Sequence, residues 1–185
     1  MMTKQYALRL EFTKQLVARL LDGESINLIS PHGQGRRRTL QDLRTLLPDS
    51  ISVQQLDLRR DSVDPGDWLS QTVDSSRKTL LILHNFNELN QENSSSQPFI
   101  ELLNSISKQP ALSLLAVSEK RVTQSLRITP LLLPVLTSKQ LSRELERHRP
   151  KLSENELTEM ANRLLLDKAP YTALLSAISE MAGNA

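Results

Sequence analysis

The chain has 185 residues, with 23 lysines and arginines against 21 aspartates and glutamates, a formal charge of +2, 38% hydrophobic residues and no cysteine. That length suits one domain with an ample core, or a core with a small helical appendage. The near-balance of charge excludes a whole-chain electrostatic case for nucleic acid, despite a pI of about 9.0. The lack of cysteine excludes disulfides and thiolate metal sites. The N-terminal residues are interrupted by charge every few positions, so neither a signal-peptide apolar stretch nor the ~20 apolar residues of a membrane span is expected. The expected location is the cytoplasm.

In chain order, residues 6–21 place Leu8, Leu10, Phe12, Leu16, Val17, Leu20 and Leu21 at largely helical spacing, with Gly23 as a C-cap glycine. Glu11 and Asp22 favour a core helix over a membrane-surface one. Residues 25–40 (SINLISPHGQGRRRTL) follow: an apolar run stops at Ser30 and Pro31, passes Gly33 and Gly35, and becomes helical from about Arg37. Strand, glycine loop, helix is the layout of a phosphate-binding loop, because glycines let backbone N–H groups converge on an anion at a helix N-terminus. Leu40, Leu43, Leu46 and Leu47 form that helix's apolar side, and Pro48 closes it. Residues 51–58 alternate as a second strand and end at Arg59 and Arg60. A short helix opens at Asp64-Pro65. The apolar run 79–83 reads as a strand buried on both faces. A polar, serine-rich loop is expected over 87–98, a helix over 99–106 and a fourth strand over 112–117. A last strand lies among Pro130 and Pro134, whose missing N–H suits strand ends or an edge. Three helices then follow, two of them announced by the capping-box patterns 137–140 and 153–156, and the third by Pro170. The expected apolar face of the third is Leu174, Leu175, Ile178 and Met181.

The glycine loop resembles the Walker A motif of AAA+ and STAND P-loop NTPases, roughly G-P-x-G-x-G-K-T-x-L-L. Pro31, Gly33, Gly35 and Leu40 match; Ser30 replaces the first glycine, Arg36 the lysine and Arg37 the Mg²⁺-binding hydroxyl residue. Residues 79–89 (TLLILHNFNEL) resemble the Walker B segment, with Phe86, Glu88 and Leu89 matching. His84 stands where the metal-ordering Asp belongs, and Asn85 where the water-polarising Glu belongs. An imidazole and an amide are poor ligands for hard Mg²⁺, and a guanidinium does not replace the point charge of lysine. Phosphoryl transfer needs that metal and a water-positioning group.

The expected fold is α/β: a three-layer P-loop NTPase-like core with a mostly parallel five-stranded sheet over residues 1–135, then a small all-helical C-terminal lid over 136–185. The resemblance implies a catalytically inactive homologue, a pseudo-ATPase acting as a protein-binding regulatory or structural subunit of a larger complex. Its partner would be an active AAA+ protein or a second copy of the chain. The candidate phosphate- or nucleotide-binding residues are Gly33, Gln34, Gly35, Arg36 and Arg37. His84 and Asn85 mark the altered Walker B, and Arg38, Arg59 and Arg60 are candidate basic contacts. No residue is assigned as catalytic or as a metal ligand. No cofactor is expected, with ATP or ADP bound without Mg²⁺ as the alternative. Two further readings stay in play: a slow, divergent ATPase using the Glu88 carboxylate, and a nucleic-acid-binding accessory module using the arginine cluster at 36–38.

Overall fold

Short apolar strands alternating with amphipathic helices generate parallel βαβ pairing. The computed structural model describes residues 6–61, 64–72, 77–90, 97–109, 111–123, 126–148 and 152–183. The elements run α1 (Leu10–Leu21), β1 (Ile26–Ile29), α2 (Arg36–Leu46), β2 (Ser52–Asp57), α3 (Pro65–Thr72), β3 (Thr79–His84), α4 (Gln97–Ile106), β4 (Leu112–Ser118), β5 (Thr129–Leu132), α5 (Ser138–His148), α6 (Glu154–Leu165) and α7 (Pro170–Gly183). The five strands form one sheet in the order β2-β3-β4-β1-β5, and every pairing is parallel.

The chain divides into two compact units that do not follow its order. The first, Lys14–Pro31 and Leu46–Leu132, holds the sheet. Leu81, Leu83, Leu114 and Ala116 face α3 and α4, packing with Leu69, Phe99, Ile100 and Leu103. The other face is covered by the C-terminal half of α1, where the Leu20 carbonyl accepts from Ser113 Oγ at 2.6 Å and the Leu21 carbonyl accepts from Lys78 Nζ. Helix α1 stops as its sequence demands: Gly23 takes φ +85°, and the Gly23 and Glu24 amides return to the Leu20 and Arg19 carbonyls. Pro130 sits in the edge strand β5, where no second partner strand requires its missing N–H.

The second unit, Met1–Thr13, His32–Thr45 and Leu133–Ala185, holds the helices α5, α6 and α7 and nearly all of α2. Leu141, Leu145, Leu157, Ala161 and Leu174 form its core, joined by Leu8. Complete burial of leucines such as Leu141 and Leu145 is worth about 1.5–3 kcal/mol each. Residues 6–13 and 32–45 pack here with the segment that begins at Leu133.

Local expectations shift by a few residues. Helix α1 begins at Leu10 rather than residue 6, since residues 6–9 are non-helical, with a turn at Leu8 and Arg9. In the expected loop 87–98, residues up to Asn90 form a 3₁₀ turn, Phe86–Asn90, and α4 begins at Gln97; 91–96 lie outside the described residues. Leu175, read as part of the inner face of α7, is half exposed, while the side chain of Met181 lies outside the described residues.

Candidate functional site

In the helical unit the glycine loop enters α2 through two left-handed residues, Gly33 and Gly35, both at φ +74°. An L side chain rarely adopts that conformation. Space demands glycine as well. A Cβ on Gly33 would run into the Cα and Cβ of Ala169, and a Cβ on Gly35 would lie 2.9 Å from Tyr171 Cδ2 and 3.1 Å from Leu8 Cδ2. In the direction a side chain would take, each glycine meets protein. The Gly33 carbonyl accepts from the Tyr171 amide at 2.9 Å, and the Gln34 carbonyl accepts from Arg9 Nη2 at 2.7 Å.

Arg9 escaped the sequence reading. It is 2% exposed and donates also to Thr39 Oγ1 at 3.0 Å and to the Pro134 carbonyl at 2.9 Å. All three acceptors are neutral, and burial pulls its guanidinium down to about 10. The three arginines that open α2 diverge because successive helical residues turn by about 100°. Arg37 is exposed and Arg36 half-buried. Arg38 turns inward, pairing with Asp42, lying 3.3 Å from Glu144 Oε1 and donating to the Tyr6 carbonyl at 2.6 Å. As a basic contact for a partner, Arg38 is thus largely engaged by its own chain. Glu144 is fully buried; it accepts from the Tyr171 hydroxyl at 3.2 Å and has Arg147 at 3.5 Å. Asp42 accepts from the Leu8 amide at 2.8 Å. Burial raises the Asp42 carboxyl against the opposing effects of that bond and of Arg38. Of this cluster only the same-helix spacings, Arg38 to Asp42 and Glu144 to Arg147, are visible in the sequence.

In the α/β unit the candidate residues gather at the C-terminal ends of β2 and β3. The register sets Asp57 beside His84. His84 Nε2 lies 3.2 Å from Gln55 Oε1. Asn85, at φ +55°, donates from Nδ2 to Asp57 Oδ1 at 2.6 Å. Burial would raise the Asp57 carboxyl, but the bonds from Asn85 and the Arg59 amide and the charges of His84 and Arg60 hold it below its ordinary value. Arg59 and Arg60 are exposed, with Arg60 Nε 3.9 Å from Asp57 Oδ2. Glu88 is half-buried in the 3₁₀ turn, its amide bonded to the Asn85 carbonyl at 3.0 Å. Asp57 is the carboxylate here that the motif comparison passes over, because it comes from the neighbouring strand. An imidazole, an amide and a carboxylate already tied to that amide do not fit a Mg²⁺ site. Among the described residues no group of three or more His, Asp or Glu side chains could hold a metal ion.

The parallel five-stranded sheet with helices and a helical C-terminal region define the class: this is the fold of AAA+ ATPase-like proteins. Solved structures similar to it include the Drosophila origin recognition complex bound to DNA (TM-score 0.66, 15% identity, 100% of this chain and 58% of that one) and Aeropyrum pernix ORC1 in complex with DNA (0.61, 16%, 98% and 62%). A Thermotoga maritima RuvB mutant (0.61, 17%, 89% and 60%) and Rif2 in complex with the C-terminal domain of Rap1 (0.54, 13%, 96% and 78%) are similar as well. The chain therefore spans about three fifths of the first three. No family model and no curated protein sequence matches it. No helix among the described residues is long and apolar enough to cross a membrane.

Proposed function

We propose that the protein is an AAA+-fold module that has given up ATP hydrolysis and works as a protein-binding, regulatory or structural subunit of a larger complex. The observation that carries this reading is the glycine loop: its carbonyls are taken by Tyr171 and Arg9, and its glycines are packed against Ala169, Tyr171 and Leu8. The donor set at the end of β3 supports it, because phosphoryl transfer depends on positioned metal and water and His84 and Asn85 supply neither carboxylate. Rif2, whose structure holds the C-terminal domain of Rap1, is a protein of this fold class seen with a protein partner.

The test has two arms. Purified protein is assayed for ATP turnover, and tagged protein is recovered from its native cells and analysed for complexes of defined stoichiometry. The expected result is turnover far below the ~1 s⁻¹ at the low end of ordinary enzymes, together with a stoichiometric partner. Turnover above that level, abolished in Glu88→Gln, would replace this reading with the divergent ATPase. A monodisperse monomer with no partner would remove the subunit role.

One observation favours a nucleic-acid-binding role: Arg37, Arg59 and Arg60 are exposed, and two proteins of similar fold are seen with DNA. On that reading duplex affinity falls linearly in log–log against salt, with a slope of about 0.9 per phosphate contacted. Arg59→Glu with Arg60→Glu then lowers both affinity and slope.

A further inference from the structure

We infer that the glycine loop has changed sides: it works through its carbonyls, as a cap for α7 and a seat for Arg9, and is held closed by the protein itself rather than by a nucleotide. This rests on the reading of the chain as a non-hydrolysing module, and it says what took over the loop's structural role.

Two unsatisfied ends meet at the loop. The first-turn amides of a helix have no intrahelical acceptor, and they need one when buried. Tyr171 is the second residue of α7, and Pro170, the first, has no amide to satisfy. The Tyr171 amide is supplied by the Gly33 carbonyl at 2.9 Å, while the Ala169 amide is taken by Asp167 Oδ1 at 2.7 Å. Arg9, a buried cation whose hydrogen-bond acceptors are all neutral, finds the Gln34 carbonyl next along. In a trans peptide the C=O and the following N–H point in opposite directions. Consecutive carbonyls directed at Tyr171 and Arg9 thus fix both peptide planes of the loop.

The side chains close the same joint. The Tyr171 ring packs on Gly35 and its hydroxyl donates to the buried Glu144, which also receives Arg38 from α2. Leu8, in the turn before α1, touches the site of a Gly35 Cβ and sends its amide to Asp42. The segment before α1, the loop, α2, α5 and α7 are thereby tied through one set of buried and half-buried donors and acceptors. The left-handed glycines are needed for this closure, whatever the loop once bound.

The test is hydrogen exchange of the Tyr171 amide in the intact protein, with EDTA present, with and without ADP. A helix N2 amide without an acceptor exchanges near its free rate. A capped one is slowed by about 3–10-fold, the worth of one net hydrogen bond. Slowing that ADP leaves unchanged is the expected result. Free-rate exchange, or slowing that appears only with ADP, would overturn the inference. A double-mutant cycle supplies the second readout. Gly35→Ala strains φ equally in both backgrounds, so it should lower Tm by at least about 2 °C more in wild type than in Tyr171→Ala, where the ring it meets is gone. Additive losses would count against the clasp. The outcome is separate from the subunit role: an ADP-dependent amide defeats the clasp even when a partner is recovered, and a missing partner leaves the exchange result standing.

Discussion

Arg9 and Arg37 are both arginines of the helical unit, yet substitution should separate them sharply. Arg9 is buried and satisfies the carbonyls of Gln34 and Pro134 and the Thr39 hydroxyl. Arg9→Met fills much of the same volume but leaves those acceptors without donors, a loss of about 1–3 kcal/mol. In a protein of this size that is roughly a 4–10 °C fall in Tm. Arg37→Ala, at an exposed helix position, should stay within about 0.5 kcal/mol. Thermal unfolding of the two variants checks the contrast, and equal losses would show that Arg9 is not the internal anchor described. The same comparison explains why Arg9 is hard to see in a sequence. Its partners lie about 25, 30 and 125 residues away, and nothing local marks an arginine as interior. Gly33 and Gly35 were legible because glycine spacing is itself the signal; that Ala169 and Tyr171 are what they accommodate was not.

At the level of elements, the helix signals were the most legible part of the chain because capping is a local affair. Ser153 and Glu156 form the full reciprocal box at the start of α6, and Thr137 and Gln140 exchange the equivalent bonds at α5. Ser153→Ala should therefore cost about 1 kcal/mol, a Tm decrease of roughly 2–4 °C, with little effect in Asn155→Ala on the exposed second position. The α/β unit should also carry a defined acid sensitivity. Glu24 is held below its ordinary pKa of 4.5, first by its bond with Arg19, and Asp57 below 3.8 by Asn85, Arg59 and its charged neighbours against the cost of burial. Groups whose folded pKa is depressed contribute stability above the unfolded pKa and lose it as pH falls through the folded one. Stability should therefore be flat above about pH 5 in these two contributions and decline below about pH 4. Asn85→Ala should shrink that acid-dependent part, which Tm measured from pH 3 to pH 7 reports. Asp42 works in the opposite sense: burial raises its carboxyl, so its protonation does not add to the acid loss. These cross-strand and cross-helix pairings follow from register, and a linear motif such as LLILHNFNEL contains no trace of Asp57.

For the whole molecule, the order of elements and the sheet were readable from alternation alone, since buried parallel strands and amphipathic helices each leave their own period in the sequence. The division into units was less so, because residues 6–13 and 32–45 pack with the helices that follow Leu133 through side chains that no boundary in composition announces. That packing decides what nucleotide should do. An ordinary nucleotide site saturated at 100 times its Kd adds about 2.7 kcal/mol and would raise Tm by about 5–10 °C here. If the loop is held as inferred, with its carbonyls on Tyr171 and Arg9 and its glycines against Ala169 and Tyr171, its conformation is already set and nucleotide gains nothing by ordering it. Neither should move Tm by more than about 1 °C, in Mg²⁺ or in EDTA, because differential affinity is what shifts an equilibrium. A shift that requires Mg²⁺ would point to hydrolysis and to the Glu88 carboxylate. A shift that persists in EDTA would mean that phosphate still finds Arg36 and the α2 amides, and that the clasp opens to admit it. No shift, together with a stable complex recovered from cells, would leave a fold whose nucleotide loop has become an internal joint and whose remaining activity is the binding of a partner.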